Sequence, residues 1–180
     1  MPQPSPETKW MLIGNYASLV AGLVIEALLL EIYLHGVSTL FDTPTIYWLL
    51  ALLPLGIVAY TGYSKGTRHA KEYMQRVSPL ALILAGIGAI TAYQGLLGVR
   101  EAGLFIVAAY FVELLVGQKL AKDLSELDEL GSRLFLIGVT VFVLSLGLVL
   151  VDNGLALIPL IGNTVKITGF AKIVLRNTPL

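Results

Sequence analysis

The chain contains no cysteine, which excludes disulfides, thiolate metal sites, covalent attachment of a c-type haem and thiol redox catalysis. Charge is scarce too: 13% of the residues are Asp, Glu, Lys or Arg, against about 25% in soluble globular chains. Neither sign is in excess, since 12 Lys and Arg face 12 Asp and Glu. The chain therefore offers no basic field for gripping a polyanion, which argues against nucleic-acid binding. What is present is apolar. Hydrophobic residues make up 56% and the mean hydropathy is +0.81, with the charges confined to short stretches between long apolar runs. The solvent for most of this chain is a lipid bilayer.

The apolar runs predict an all-α, polytopic integral membrane helix bundle in a single transmembrane domain. Five spans are expected, at 10–34, 46–63, 80–98, 104–120 and 134–151, each close to the roughly 20 residues that a helix needs to cross the hydrocarbon core. The first is too long for a signal-peptide apolar region and has no basic n-region or obvious cleavage site, so it is expected to be retained. After the fourth span, Leu120, Leu124 and Leu127 recur at i, i+4 and i+7, which predicts an amphipathic extension stopped at Gly131. The segment 155–175 contains Pro159, Gly162, Asn163, Lys166 and Gly169 and reads as a poor continuous helix. It stands between a broken sixth span and a surface segment.

Basic residues set the expected orientation. Lys65, Arg68, Lys71 and Arg76 lie between the second and third spans and Lys119, Lys122 and Arg133 between the fourth and fifth, whereas the other side offers Arg100. The amino terminus is therefore expected in the cytoplasm.

Several motifs have structural explanations. Gly62-Tyr63-Ser64-Lys65-Gly66 matches the G-x-S-x-G string of a nucleophile elbow, but that chemistry requires a strand-turn-helix context and a later acid and histidine. At the end of a membrane helix the two glycines serve close packing instead. His35 and His69 fall at opposite ends of the bundle, so they cannot ligate one haem together. Trp10, Tyr16, Tyr33, Tyr47 and Trp48 cluster towards span ends as an aromatic belt does. Glu126, Asp128 and Glu129 read as a solvated face, not a metal site. The rhomboid-type Gly-x-Ser-Gly, the paired aspartates of membrane transferases, the TVGYG filter and HExxH are all missing. No catalytic residue, metal ligand set or cofactor is predicted, and enzymatic activity is the least favoured reading.

The intramembrane carboxylates stand apart. A charge at the bilayer centre costs about 2.5–3.5 kcal/mol or more, so such a group usually faces the bundle interior or water and often has a function. Gly14, Ser18, Gly22 and Glu26 fall at successive i+4 positions, and Ala109, Glu113 and Gly117 repeat the arrangement. Ala81, Ala85, Ala89 and Ala92 form a third small-residue stripe. A polar cluster of Glu26, Gln94, Tyr110 and Glu113 is expected, with Lys166 as a counter-ion if the tail crosses. Glu31, about 140° around the helix from Glu26, is expected at the interface.

Two functions follow. The first is a small transporter or channel using the buried carboxylates to handle a cation or proton. The second is a non-catalytic subunit of a larger membrane complex. In either case the small-residue faces are candidate contacts with further copies of the chain or with other membrane proteins.

Overall fold

The structure, a computed structural model, describes residues 5–177 and is all-helical, with no strand among the described residues. The long helices are α1 (Pro6–His35), α2 (Thr45–Gly66), α4 (Ser78–Tyr93), α5 (Val99–Ser125), α6 (Glu129–Leu146) and α7 (Leu157–Asn177). A short α3 (Lys71–Arg76) precedes α4, and three 3₁₀ turns join α1 to α2 and α6 to α7. Six segments are long and apolar enough to cross a membrane, the third of them formed by α3 and α4 together. The protein is a multi-pass membrane helix bundle.

The helix ends follow local chemistry. Ser5 accepts from the Thr8 backbone N–H at the start of α1, with Pro6 in the first turn, a position where proline costs no hydrogen bond. Gly36, at φ +98°, ends the same helix. Gly95, at φ +67°, lets the chain reverse after α4, so the third span stops at Tyr93 and does not run on to Gly98. Beyond α5, the chain turns between Ser125 and Asp128, and Gly131 lies inside the first turn of α6. The expected extension is part of α5 itself, and Gly131 stops nothing: Asp128 caps α6 by accepting from the Gly131 N–H at 2.6 Å.

Each long helix packs on its neighbours in chain order, and α7 returns to α1, so the six close a ring. The start of α1, the end of α7 and the 67–70 and 126–128 turns share one end of the bundle. All 12 Lys and Arg residues except Arg100 and Lys166 gather towards that end. Large apolar side chains such as Leu23, Ile57, Ile83, Leu115 and Leu144 are exposed on the outside of the ring, a surface suited to lipid tails and not to water.

The tail is a continuous sixth helix, neither broken nor on the surface. Gly131 and Gly138 on α6 and Gly162 and Gly169 on α7 each repeat at seven residues, and the two pairs face one another across the seam. A Cβ on Gly169 would stand 2.6 Å from the Gly131 carbonyl oxygen, and one on Gly162 would stand 2.5 Å from the Phe142 nitrogen. The glycines that weaken α7 as an isolated helix are what let its backbone lie directly against α6. Pro159 falls in the first turn, where its missing N–H is harmless.

The α1–α2 seam uses the same device, since a Cβ on Gly62 or Gly66 would meet the α1 backbone at Gly14 or Met11, 2.5 Å away in each case. By contrast, α2 and α4 meet through side-chain tips. The only near neighbour of a Cβ at Gly56 is Leu82, and at Gly86 it is Leu53, at 4.0 Å.

Candidate functional site

Three of the five singled-out residues come to one cavity. It has a volume of about 150 Å³ and lies inside the ring, from mid-bundle towards the end where α1 starts and α7 ends, with walls from every long helix. Tyr110 and Glu113 line it from α5 and Lys166 from α7. Glu113 shares a helix face with Ala109 and Gly117, as the i+4 spacing requires. Glu113 is exposed, and it lines both this cavity and a smaller one of about 60 Å³ between α2, α4 and α5.

Lys166 is 8% exposed, and its Nζ stands over the Phe142 ring, 4.6 Å from the centroid. Cation–π contact of this kind holds an ammonium ion in a dry site better than at a surface. Phe142 in turn meets Tyr110 edge to face at 5.0 Å. Lys166 interacts electrostatically with Glu113 and more weakly with Glu26, yet it is not among the direct ion pairs of the described residues.

Glu26 lies elsewhere. Its carboxylate accepts from Asn163 Nδ2 at 2.6 Å and from the exposed Thr164 hydroxyl, both on α7. Helix geometry explains the departure. Each i+4 step overshoots a full turn by about 40°, so Gly14 to Glu26 winds about 120° around α1. The stripe starts against α2, where the Tyr63 ring fills the space beside Gly14 and its hydroxyl approaches Ser18 at 3.1 Å. It ends against α7, where Ile167 covers Gly22 and Asn163 and Thr164 hold Glu26. Gln94 is also outside the cluster: it caps the end of α4 and is exposed, because the Gly95 reversal ends the helix there.

The small-residue stripes are largely consumed within the chain. Gly22 packs on Ile167, and Gly117 on Phe135 and Val139. Gly88 packs on the Ala102 carbonyl of α5.

Among the buried polar residues, Asn15, Asn163, Asp123 and Asp128 were not marked as interior by the sequence. Asn15 accepts from the Tyr63 hydroxyl at 2.9 Å, and Asn163 donates to both Glu26 and the Gly22 carbonyl. The signal was there: two of the chain's four asparagines fall inside apolar spans. Asp123 is 1% exposed and accepts from the backbone N–H groups of Arg68, His69 and Ala70 at 2.9–3.0 Å, while its Oδ1 also lies 3.0 Å from His69 Nδ1. His69, Asp123 and Glu126 do approach one another within 4.8 Å, but both oxygens of Asp123 are already engaged by backbone, so it acts as a clamp on the α2–α3 turn. Asp128, expected on a solvated face, is buried with its second oxygen 2.6 Å from Arg176. That hydrogen bond, then the Gly131 N–H, holds its carboxyl below the usual carboxylate range.

His35 pairs with Glu31 at the far end from His69, so the two histidines are separated by the length of the bundle. Ser64 donates to the Tyr60 carbonyl within its own helix, which is no nucleophile geometry.

Beyond Tyr110 and Phe142 the ring interior changes character. The remaining half encloses a cavity of about 60 Å³ with walls of Leu, Ile and Val side chains and no charged group. The charged cavity thus occupies one half of the bundle and an apolar plug the other, with the Tyr110–Phe142 pair between them. Comparison of the chain with models of known families, with curated proteins and with solved structures found no match.

Proposed function

We propose that this protein is a small membrane transporter or channel that handles a cation or proton at Glu113, with its amino terminus in the cytoplasm. The observation that carries the reading is a carboxylate and an ammonium group lining one cavity inside a closed ring of membrane helices. An ionised carboxylate at that depth needs water, an ion or a counter-charge, and the cavity supplies room for the first two and Lys166 for the third. A water molecule requires about 10–15 Å³ on the same measure, so several fit. The apolar half beyond Tyr110 and Phe142 supports access from one side at a time, with the seam closed by the Leu53 and Leu82 side-chain tips as the part of the ring that can yield.

The test is flux in liposomes. Glu113→Gln keeps the shape and hydrogen bonding of the side chain but cannot titrate, and it is expected to abolish proton- or cation-dependent flux while leaving helicity unchanged. Unchanged flux in a preparation shown to be active refutes the carboxylate mechanism. Orientation follows from the basic end of the bundle: a Ser38→Cys variant should react with an impermeant thiol reagent from outside, and labelling only from the cytoplasmic side reverses it. A matching label at Thr178 lies outside the described residues, and Asn177→Cys serves for the carboxyl-terminal end of α7.

A second reading, a non-catalytic subunit of a larger complex, is favoured by the α1–α7 seam. There Glu26 is half-buried and Thr164 and Thr168 are exposed, and although their side chains are hydrogen-bonded within the chain, a partner helix accommodates such polar groups better than lipid. On this reading Glu113→Gln is silent, and Thr164→Leu with Thr168→Leu disrupts co-purification of the complex.

A further inference from the structure

The charged cavity holds two groups of opposite sign that do not pair with each other. Glu113 accepts no hydrogen bond from any described residue, and its electrostatic partner is Lys166. Lys166, although buried, has an aromatic ring as its contact and no hydrogen-bond acceptor among the described residues. Both line the same 150 Å³ space. A monovalent cation placed there satisfies Glu113 but is repelled by Lys166, and an anion meets the converse problem. A molecule carrying both charges satisfies both groups and brings no net charge into the bilayer interior.

The walls define the remainder of that molecule. Apart from the two charges they are mostly apolar or aromatic, including Ile25, Leu52, Val116, Val139 and Phe142, with hydroxyls from Ser18 and Ser78. Pockets for drug-sized ligands start at roughly 300 Å³, so this one suits a molecule on the order of ten non-hydrogen atoms.

We propose that this cavity binds a small apolar zwitterion of the α-amino-acid type, its ammonium group facing Glu113 and its carboxylate facing Lys166. The zwitterion is then the cargo of the transport reading above, on which this step rests. Phe142, under the Lys166 ammonium group and edge to face with Tyr110, gives the lysine a contact of its own, leaving both charges open to a ligand.

Equilibrium binding to the full chain, purified in detergent, tests this with three probes: leucine, leucinamide, which lacks the carboxylate, and 4-methylpentanoate, which lacks the ammonium group. Leucine is expected to bind saturably, with each single-charge analogue at least roughly tenfold weaker, the equivalent of one lost charged contact. Glu113→Gln should erase the preference for leucine over 4-methylpentanoate, and Lys166→Met the preference over leucinamide. The analogue comparison on the wild-type chain needs no variant, so a variant that fails to fold leaves the test intact. Analogues that match leucine, or no saturable leucine binding up to about 10 mM, overturn the proposal. Glu113-dependent ion flux without leucine binding removes the zwitterion and leaves the transport reading. Charge-selective leucine binding without flux of leucine or any ion does the reverse.

Discussion

Replacing Gly138 by alanine places a methyl group in the α6–α7 seam where no side chain can move aside. The new Cβ would press on the Lys166 backbone nitrogen and lie 2.7 Å from both the Gly162 carbonyl oxygen and Lys166 Cα. Carbon contacts are comfortable at about 3.5–4.0 Å, so the two backbones must part by about 1 Å along a seam that depends on their closeness. Overpacking of this kind costs about 1–3 kcal/mol, and with backbone as the obstacle the upper part of the range applies. The gain in helix propensity from Gly to Ala, about 0.8–1 kcal/mol, offsets part of it, leaving a net loss near 2 kcal/mol. Gly117→Ala is the matched control. Its Cβ would meet Phe135 at 3.6 Å and Val139 at 3.7 Å, ordinary contact distances, so the propensity gain survives and the variant is neutral or slightly more stable. Two chemically identical substitutions should therefore differ by about 2–3 kcal/mol, roughly 30- to 100-fold in the unfolding equilibrium. Denaturation with sodium dodecyl sulfate in mixed micelles, followed by far-UV circular dichroism, measures both. Equal midpoints for the two variants refute the backbone-contact argument. Because Gly138 abuts the Lys166 backbone, the same substitution should also displace Lys166 and weaken whatever the cavity binds, which Gly117→Ala should not do through that route.

Two further outcomes concern the end of the bundle where α1 starts and α7 ends. Asp128 is held below the usual carboxylate range by Arg176 and the Gly131 N–H, so its stabilisation is fully present above the ordinary aspartate value of about 3.9 and disappears as pH falls through its own lowered value. The stability difference between wild type and Asp128→Asn should therefore be constant from neutral pH to about 5 and shrink below about 4; a difference as large at pH 3 as at pH 7 counts against this linkage. Asp123→Ala removes the acceptor for three backbone N–H groups, and a buried donor left unpaired costs about 1–3 kcal/mol. The α2–α3 turn should loosen, seen as faster trypsin cleavage after Arg68 and Lys71, whereas Asp123→Asn, which keeps one acceptor oxygen, should be intermediate. Equal cleavage of all three proteins argues that the clamp is dispensable.

Membrane class and five of the six spans were legible in the chain because a bilayer imposes a length and polarity requirement that local composition alone can satisfy or fail. Glu113 stood out for the same reason: a carboxylate in an apolar run costs free energy wherever its neighbours are. The sixth helix was not legible. Gly162 and Gly169 count against a helix when α7 is read by itself, and they become favourable only opposite Gly131, Gly138 and Phe142, residues of another helix. The membership of the site divided along the same line. Periodicity placed Glu113 on an inward face of α5, but the drift of an i+4 stripe carried Glu26 around to α7, and a single positive-φ glycine left Gln94 at the helix end. That Lys166 lies over Phe142, outside any direct ion pair and sharing a cavity with Glu113, depends on three helices at once, and only the packing of α5, α6 and α7 in the tertiary structure brings them together.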